Sequence, residues 1–142
     1  MTSQSTQPRH QMSRRIRRSE TDSSGFAHFS TYVRLMEETE YGFLRSRNLC
    51  VVLQDDRGTI GFPRISVDFS VHQPARFDEQ LLVILELTEC DGKQISYHFE
   101  IVNDLSELVA SGQFKVATCR FPNDGPPYAI ITPDFVIQAL TS

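Results

Sequence analysis

The sequence predicts an α+β domain in which one long helix is wrapped by a strongly curved antiparallel sheet of about five strands. Three observations carry this. Residues 29–44 place Phe29, Tyr32, Val33, Met36, Phe43 and Leu44 at three- and four-residue spacing, the period of an amphipathic helix. From Cys50 onward the apolar period changes to two, as in Ile65-Ser66-Val67-Asp68-Phe69-Ser70-Val71 and Ile95-Ser96-Tyr97-His98-Phe99. The alternating runs are separated by turn chemistry, Asp55-Asp56-Arg57-Gly58 and Cys90-Asp91-Gly92-Lys93, which joins consecutive strands as hairpins.

Taken in order, residues 1–13 are rich in Ser, Gln and Thr without an apolar pattern, and are expected to be a disordered tail ahead of one domain spanning 14–142. Arg14–Arg18 is expected to form a short strand with Ile16 inward. Asp22-Ser23-Ser24-Gly25 is a turn, because Asp and Ser side chains bond nearby amides and Gly tolerates positive φ. The helix follows, with Arg45 and Arg47 suited to the negative end of its dipole. Val51–Gln54 and Thr59–Phe62 then flank the first hairpin turn, and Ile65–Val71 is a strand with one buried face. Pro74–Glu79 is a connection, Leu81–Glu89 a long strand, and Ile95–Ile101 its hairpin partner. Leu108–Phe121 reads as one final strand with a bend at Gly112. Residues 128–142 are expected to be ordered but peripheral, with Pro133-Asp134 opening a short helix. Such a sheet leaves an edge strand free, and a second copy of the chain is the expected cover.

The length of 142 residues holds one core, with ten Phe to fill it. Residues 1–18 carry five of the fourteen Lys and Arg residues and none of the eighteen acids. The rest of the chain is therefore strongly acidic, which argues against a nucleic acid as the main ligand. No apolar run reaches the roughly 18 to 20 residues of a membrane span. Cys50, Cys90 and Cys119 are widely separated and lack zinc-ligand spacing, so no metal is expected and the thiols read as reduced, in a cytoplasmic protein.

Chemistry concentrates just before the helix. If the turn folds back, the Asp22 carboxylate lies near the first free amides of the helix, which form a donor site for an oxyanion. A carboxylate and amides aimed at one carbonyl can run a hydrolysis. The plainer reading, in which Asp22 only caps its turn, stands beside it.

Thr21-Asp22-Ser23-Ser24-Gly25-Phe26, then Tyr32-Val33-Arg34-Leu35-Met36-Glu37, then Gln73-Pro74-Ala75-Arg76-Phe77-Asp78-Glu79 leading into a long strand, resemble the hotdog-fold acyl-CoA thioesterases of the 4-hydroxybenzoyl-CoA thioesterase type. The resemblance covers about residues 12–121. It implies that Asp22 is the catalytic carboxylate, as nucleophile or general base. The Phe29 backbone amide would polarise the thioester carbonyl, and Gly25 would let the turn approach the substrate. His28 departs from the Asn or Tyr common at that position, and would bond the water or the thioester or merely fill space. Glu37 stands where some relatives carry a helix acid, with Glu38 beside it. Tyr32, Phe62 and Phe69 would line the acyl tail in a crevice between subunits. Arg64 and Arg76, with Lys93, Lys115 and Arg120, are the cations available to coenzyme A phosphates.

The implied activity is hydrolysis of an acyl-CoA or acyl-carrier-protein thioester by a homodimer or homotetramer, without a cofactor other than the coenzyme A of the substrate. A hotdog hydratase or dehydratase, and a non-catalytic acyl-binding or assembly module, are the alternatives.

Overall fold

The computed structural model describes residues 7–142, and the tail expectation for residues 1–6 lies outside them. The first strand, β1 (Arg9–Arg15), begins earlier than the expected domain boundary at 14. It pairs antiparallel with β5, from Arg9 opposite Glu86 to Arg15 opposite Gln80. Its side chains have no apolar face because β1 is a sheet edge held by backbone bonds. Met12 packs against the core from the strand's inner side, and Ile16, just past its end, is fully buried.

A single 3-10 turn (Arg18–Glu20) leads through the Asp22 turn to α1 (Phe29–Ser46). Tyr32, Leu35, Met36, Thr39 and Phe43 form the buried stripe of α1, with Thr31, Glu40 and Leu44 beside it. The helix stops where Asn48 takes a φ of +59°. The Leu49 N–H then bonds the Leu44 carbonyl (2.8 Å) and the Asn48 N–H bonds that of Arg45 (3.0 Å), which satisfies carbonyls the helix would leave open.

The main sheet contains β4 (Arg64–Val71), β5 (Gln80–Asp91), β6 (Gln94–Val102) and β7 (Leu108–Ala117), in the order β1-β5-β6-β7-β4. All four pairings are antiparallel. The helix packs on the inner face over β1 and β5. Between helix and sheet lies an aromatic core: Phe43 meets Tyr97 edge-on (6.1 Å) and Tyr97 stacks on Phe114 (4.9 Å). The far edge, β4, receives less cover, so Ile65 and Val67, expected on a buried face, are exposed.

A second sheet, in the order β2-β3-β8-β9, joins β2 (Val52–Asp55), β3 (Gly58–Gly61), β8 (Cys119–Phe121) and β9 (Tyr128–Ala129). The expected single strand to Phe121 is therefore two. The break falls at Thr118, whose hydroxyl bonds Thr132 at 2.7 Å, and not at Gly112. Gly112 continues β7 opposite Phe69, where an added Cβ would collide with the Phe69 Cβ and the Asp68 carbonyl. The C-terminal α2 (Asp134–Thr141) adds a second helix, and it is not peripheral: Val136 and Leu140 are fully buried in the core. Among the described residues no helix is long and apolar enough to cross a membrane, and no group of residues is arranged to hold a metal ion.

Candidate active site

The Asp22 turn is a small closed unit. Thr21 bridges Ala27, the Asp22 N–H donates to the Phe26 carbonyl (2.8 Å), and the Gly25 N–H donates to the Asp22 carbonyl (3.0 Å). Gly25 is required by its φ of +88°, since the space around it is open. The Asp22 carboxylate uses one oxygen to hold the turn. Its Oδ1 accepts from the Ser24 N–H (2.9 Å), the Ser24 hydroxyl (2.5 Å) and the Phe26 N–H (3.2 Å). Its Oδ2 has no partner among the described residues. The Ser24 hydroxyl, then the two amides, then the charge of His28 hold this carboxyl below the usual carboxylate range. Within one chain Asp22 is exposed to solvent.

The turn delivers the chain to the helix N-terminus. His28 precedes α1 without a side-chain cap, and its own N–H is taken by the Glu20 carbonyl (2.9 Å). The Thr31 N–H bonds the His28 carbonyl (2.9 Å), which leaves the Phe29 and Ser30 amides without acceptors among the described residues. Asp22 and these amides are thus tied to one anchor, Glu20, two residues before the acid. The same Glu20 is fixed in turn. Its carboxylate accepts two bonds from the Arg14 guanidinium (2.8 and 2.6 Å) and one from the Arg17 N–H (2.8 Å).

The remaining expected site residues are dispersed. The Phe29 ring is 64% exposed and stacks on Phe69 at 4.6 Å. Phe69 is half-buried, as is Phe62, which packs against the core. Tyr32 is not at a surface: it is 2% exposed, and its hydroxyl accepts the Ala75 N–H at 3.1 Å. Glu37 lies about 12 Å along the helix from Phe29, at about 1.5 Å per residue. It is occupied by the Tyr41 hydroxyl (3.1 Å) and Arg64 (3.2 Å). Arg64 also pairs with Glu40, so it is not free for a phosphate. Arg120 is likewise held by Asp55, through bonds of 2.6 and 3.1 Å. Arg76 lies over the Phe26 ring (5.2 Å) beside the turn and has no carboxylate partner among the described residues. Two open cavities flank the turn. One, of about 440 Å³, runs between Arg14, Arg17 and Arg34; the other, of about 600 Å³, between Arg76, Phe77 and Leu105.

Sequence reasoning missed Glu20, Thr31 and Glu40. Glu20 and Thr31 act through bonds to Arg14, Arg17 and His28 and to each other, which no apolar period marks. Glu40 had one: with Met36 and Phe43 it falls on the buried stripe, where an acid needs a partner.

With this geometry in view, comparison with solved structures gives the fold. The chain superposes on a 1,4-dihydroxy-2-naphthoyl-CoA thioesterase from Synechocystis with a TM-score of 0.81 at 19% identity, covering 94% of this chain and 96% of that one. A gentisyl-coenzyme A thioesterase gives 0.76 at 18% identity, covering 92% and 98%. An Asp-to-Asn variant of 4-hydroxybenzoyl-CoA thioesterase, in complex with 4-hydroxybenzoyl-CoA, gives 0.78 at 16% identity, covering 93% and 98%. The chain therefore has the α+β hotdog fold of these thioesterases. No protein-family model and no curated protein matches it in sequence.

Proposed function

We propose that the chain is a thioesterase that hydrolyses an acyl-CoA, or the equivalent acyl-carrier-protein, thioester. The observation that carries this reading is the common frame at Glu20, which holds an acid with one free oxygen and a helix start with free amides in fixed relation. In the reaction the thioester carbonyl oxygen accepts from the Phe29 amide, assisted by the dipole of α1, and develops its negative charge there. Asp22 Oδ2 attacks the carbonyl carbon, or takes a proton from the water that does. A C–O bond forms and the C–S bond breaks; where Asp22 itself attacked, the mixed anhydride is then split by water, which restores the carboxylate, and in either route a proton of the water passes to the departing thiolate. The products are a carboxylic acid and a thiol. An acid held ionised at neutral pH suits either role. The names of the structural neighbours, acyl-CoA thioesterases with one Asp-to-Asn variant bearing substrate, support the same chemistry.

The working unit is proposed to be a homodimer or a pair of such dimers. β4 is an edge with exposed Ile65 and Val67 beside the exposed Phe29 ring. A second copy placed there continues the sheet around the helices, shields Asp22 from solvent, and closes a crevice for the acyl group over Phe69. Arg76, next to the turn and without an acid partner among the described residues, is the cation best placed for a coenzyme A phosphate. Gly25 sets the turn, and His28 stands between it and the first residue of the helix. The location is proposed to be cytoplasmic. A hydratase would pair an acid with a His: His72, bonded to Ser111, and His98, in register with Glu86 and Gln113, are away from the turn, and His28 beside it makes no side-chain hydrogen bond to Asp22 among the described residues.

The test is Asp22→Asn, assayed by thiol release over a panel of aliphatic and aromatic acyl-CoA substrates. The expected loss in kcat is about 10²- to 10⁴-fold, the usual yield of a positioned acid or base. Native turnover in the variant, or no hydrolysis of any substrate by the native chain, refutes the reading.

A further inference from the structure

The segment that carries Asp22 to the first amides of α1 is gripped from both sides by the first turn of the helix. On one side the Thr31 hydroxyl donates to the Glu20 carbonyl at 2.9 Å, the carbonyl that also takes the His28 N–H. On the other the Tyr32 hydroxyl accepts the Ala75 N–H at 3.1 Å, while the Ala75 carbonyl takes the Ala27 N–H at 2.8 Å. Beyond Ala75 the same loop continues the grip: Phe26 bridges Arg76, and the Phe77 N–H donates to the Gly25 carbonyl at 3.0 Å. Thr31 and Tyr32 are both almost fully buried.

These bonds are not what the helix itself needs. A Thr inside a helix commonly bonds the carbonyl one turn back, as Thr39 does to Leu35 at 2.7 Å. Thr31 instead reaches eleven residues back, and Tyr32 reaches forty-three residues forward. Adjacent residues on one helix turn therefore lock the two flanks of a loop whose interior holds the acid. Arg14 stiffens the first flank, since its guanidinium joins Glu20 to Glu38 of α1 at 2.7 Å.

We propose that Thr31 and Tyr32 are positioning residues for thioester hydrolysis, their hydroxyls fixing the separation between the Asp22 carboxylate and the Phe29 amide. The inference rests on the thioesterase reading and assigns Tyr32 a role away from the substrate. Neither hydroxyl touches the thioester. Each acts on the placement of two groups that must meet one carbonyl, and small misplacements of such groups are expensive in rate.

The experiment compares the native enzyme with Thr31→Val, Thr31→Ser, Tyr32→Phe and Asp22→Asn, at a temperature well below the melting point of each. Thr31→Val keeps the shape and loses the hydroxyl; Tyr32→Phe keeps the ring and loses the oxygen. Each is expected to lower kcat about tenfold, by misplacement rather than loss of a reacting group, with KM changed less than about twofold. Thr31→Ser is expected to restore kcat. A purely structural role lowers the melting temperature and leaves kcat of the folded enzyme alone. Native kcat in both Thr31→Val and Tyr32→Phe therefore overturns the proposal, as does failure of Ser to rescue. If Thr31→Val does not fold, Tyr32→Phe decides by its own kcat. Native kcat in Asp22→Asn instead removes the thioesterase reading beneath the proposal, an outcome distinct from native kcat in the hydroxyl variants alone.

Discussion

Glu40 predicts a stability that falls as pH rises. Its side chain is 3% exposed, between the buried stripe of α1 and the sheet, and its partner Arg64 comes from the edge strand β4. Burial raises its carboxyl most, Arg64 draws it back, and Glu37 raises it again, leaving it at about 7 against the usual 4.5. The folded chain then holds this proton more tightly than the unfolded chain. The contribution is complete below pH 4.5 and is lost as pH rises through 7. At about 1.4 kcal/mol for each tenfold change in proton affinity, the loss is on the order of 3 kcal/mol. Replacing Glu40→Gln removes the titration and keeps the shape. The assay is urea unfolding of both proteins between pH 4 and pH 8.5, at one protein concentration. His10 is pushed down by burial, Arg45 and Arg47, so it bends both curves the other way. The difference between the two proteins cancels that term. The Gln variant is expected to gain about 3 kcal/mol on the native chain as pH rises from 4.5 to 8. A flat difference refutes the reasoning. A difference of opposite sign shows that Arg64 outweighs burial and holds Glu40 ionised.

Further expectations concern the sheet edge and the acid. Gly112→Ala places a methyl group against Phe69 and the Asp68 carbonyl, so β4 must move from β7. The expected destabilisation is about 1–3 kcal/mol, the usual range for overpacking, and an unchanged melting temperature shows that β4 yields freely. Val67→Glu puts a charge on the proposed dimer edge. By sedimentation the native chain should run at a dimer's or tetramer's multiple of its 16.2 kDa mass and the variant at a smaller one, and a native monomer refutes the β4 interface. Because its turn holds Asp22 below the usual carboxylate range in the single chain, Asp22 should titrate lower in a monomeric Val67→Glu variant than in the native oligomer that covers it; the same titration in both, followed by carboxyl NMR, shows that a second copy does not shield Asp22.

Elements specified by local chemistry were legible in the sequence, while those specified by distant partners were not. The Asp22–Gly25 turn and the start of α1 at Phe29 follow from residues within one or two positions, and both are where the sequence puts them. The hairpin at Asp56-Arg57 likewise needs only the positive φ of Gly58. β1 was read too short because an edge strand needs its backbone groups and not an apolar face, so Arg9 to Ser13 looked like tail. The second sheet was invisible because β8 and β9 are three and two residues long, too short for a period to register. At the proposed site, Asp22 and Phe29 can be named from the sequence because the acid and the helix start are neighbours in it. Arg64 was misjudged because a cation in a list of cations reveals nothing of its partner, whereas an acid at a core position of a helix does. Glu40 on the stripe of Met36 and Phe43 demands a polar partner reaching in from another element, and Arg64, half-buried beside the bulge that opens β4, is that partner. Charged residues that break a hydrophobic period are therefore the positions from which a second chain element can be inferred, and in this chain they tie the central helix to the strand on which the proposed dimer depends.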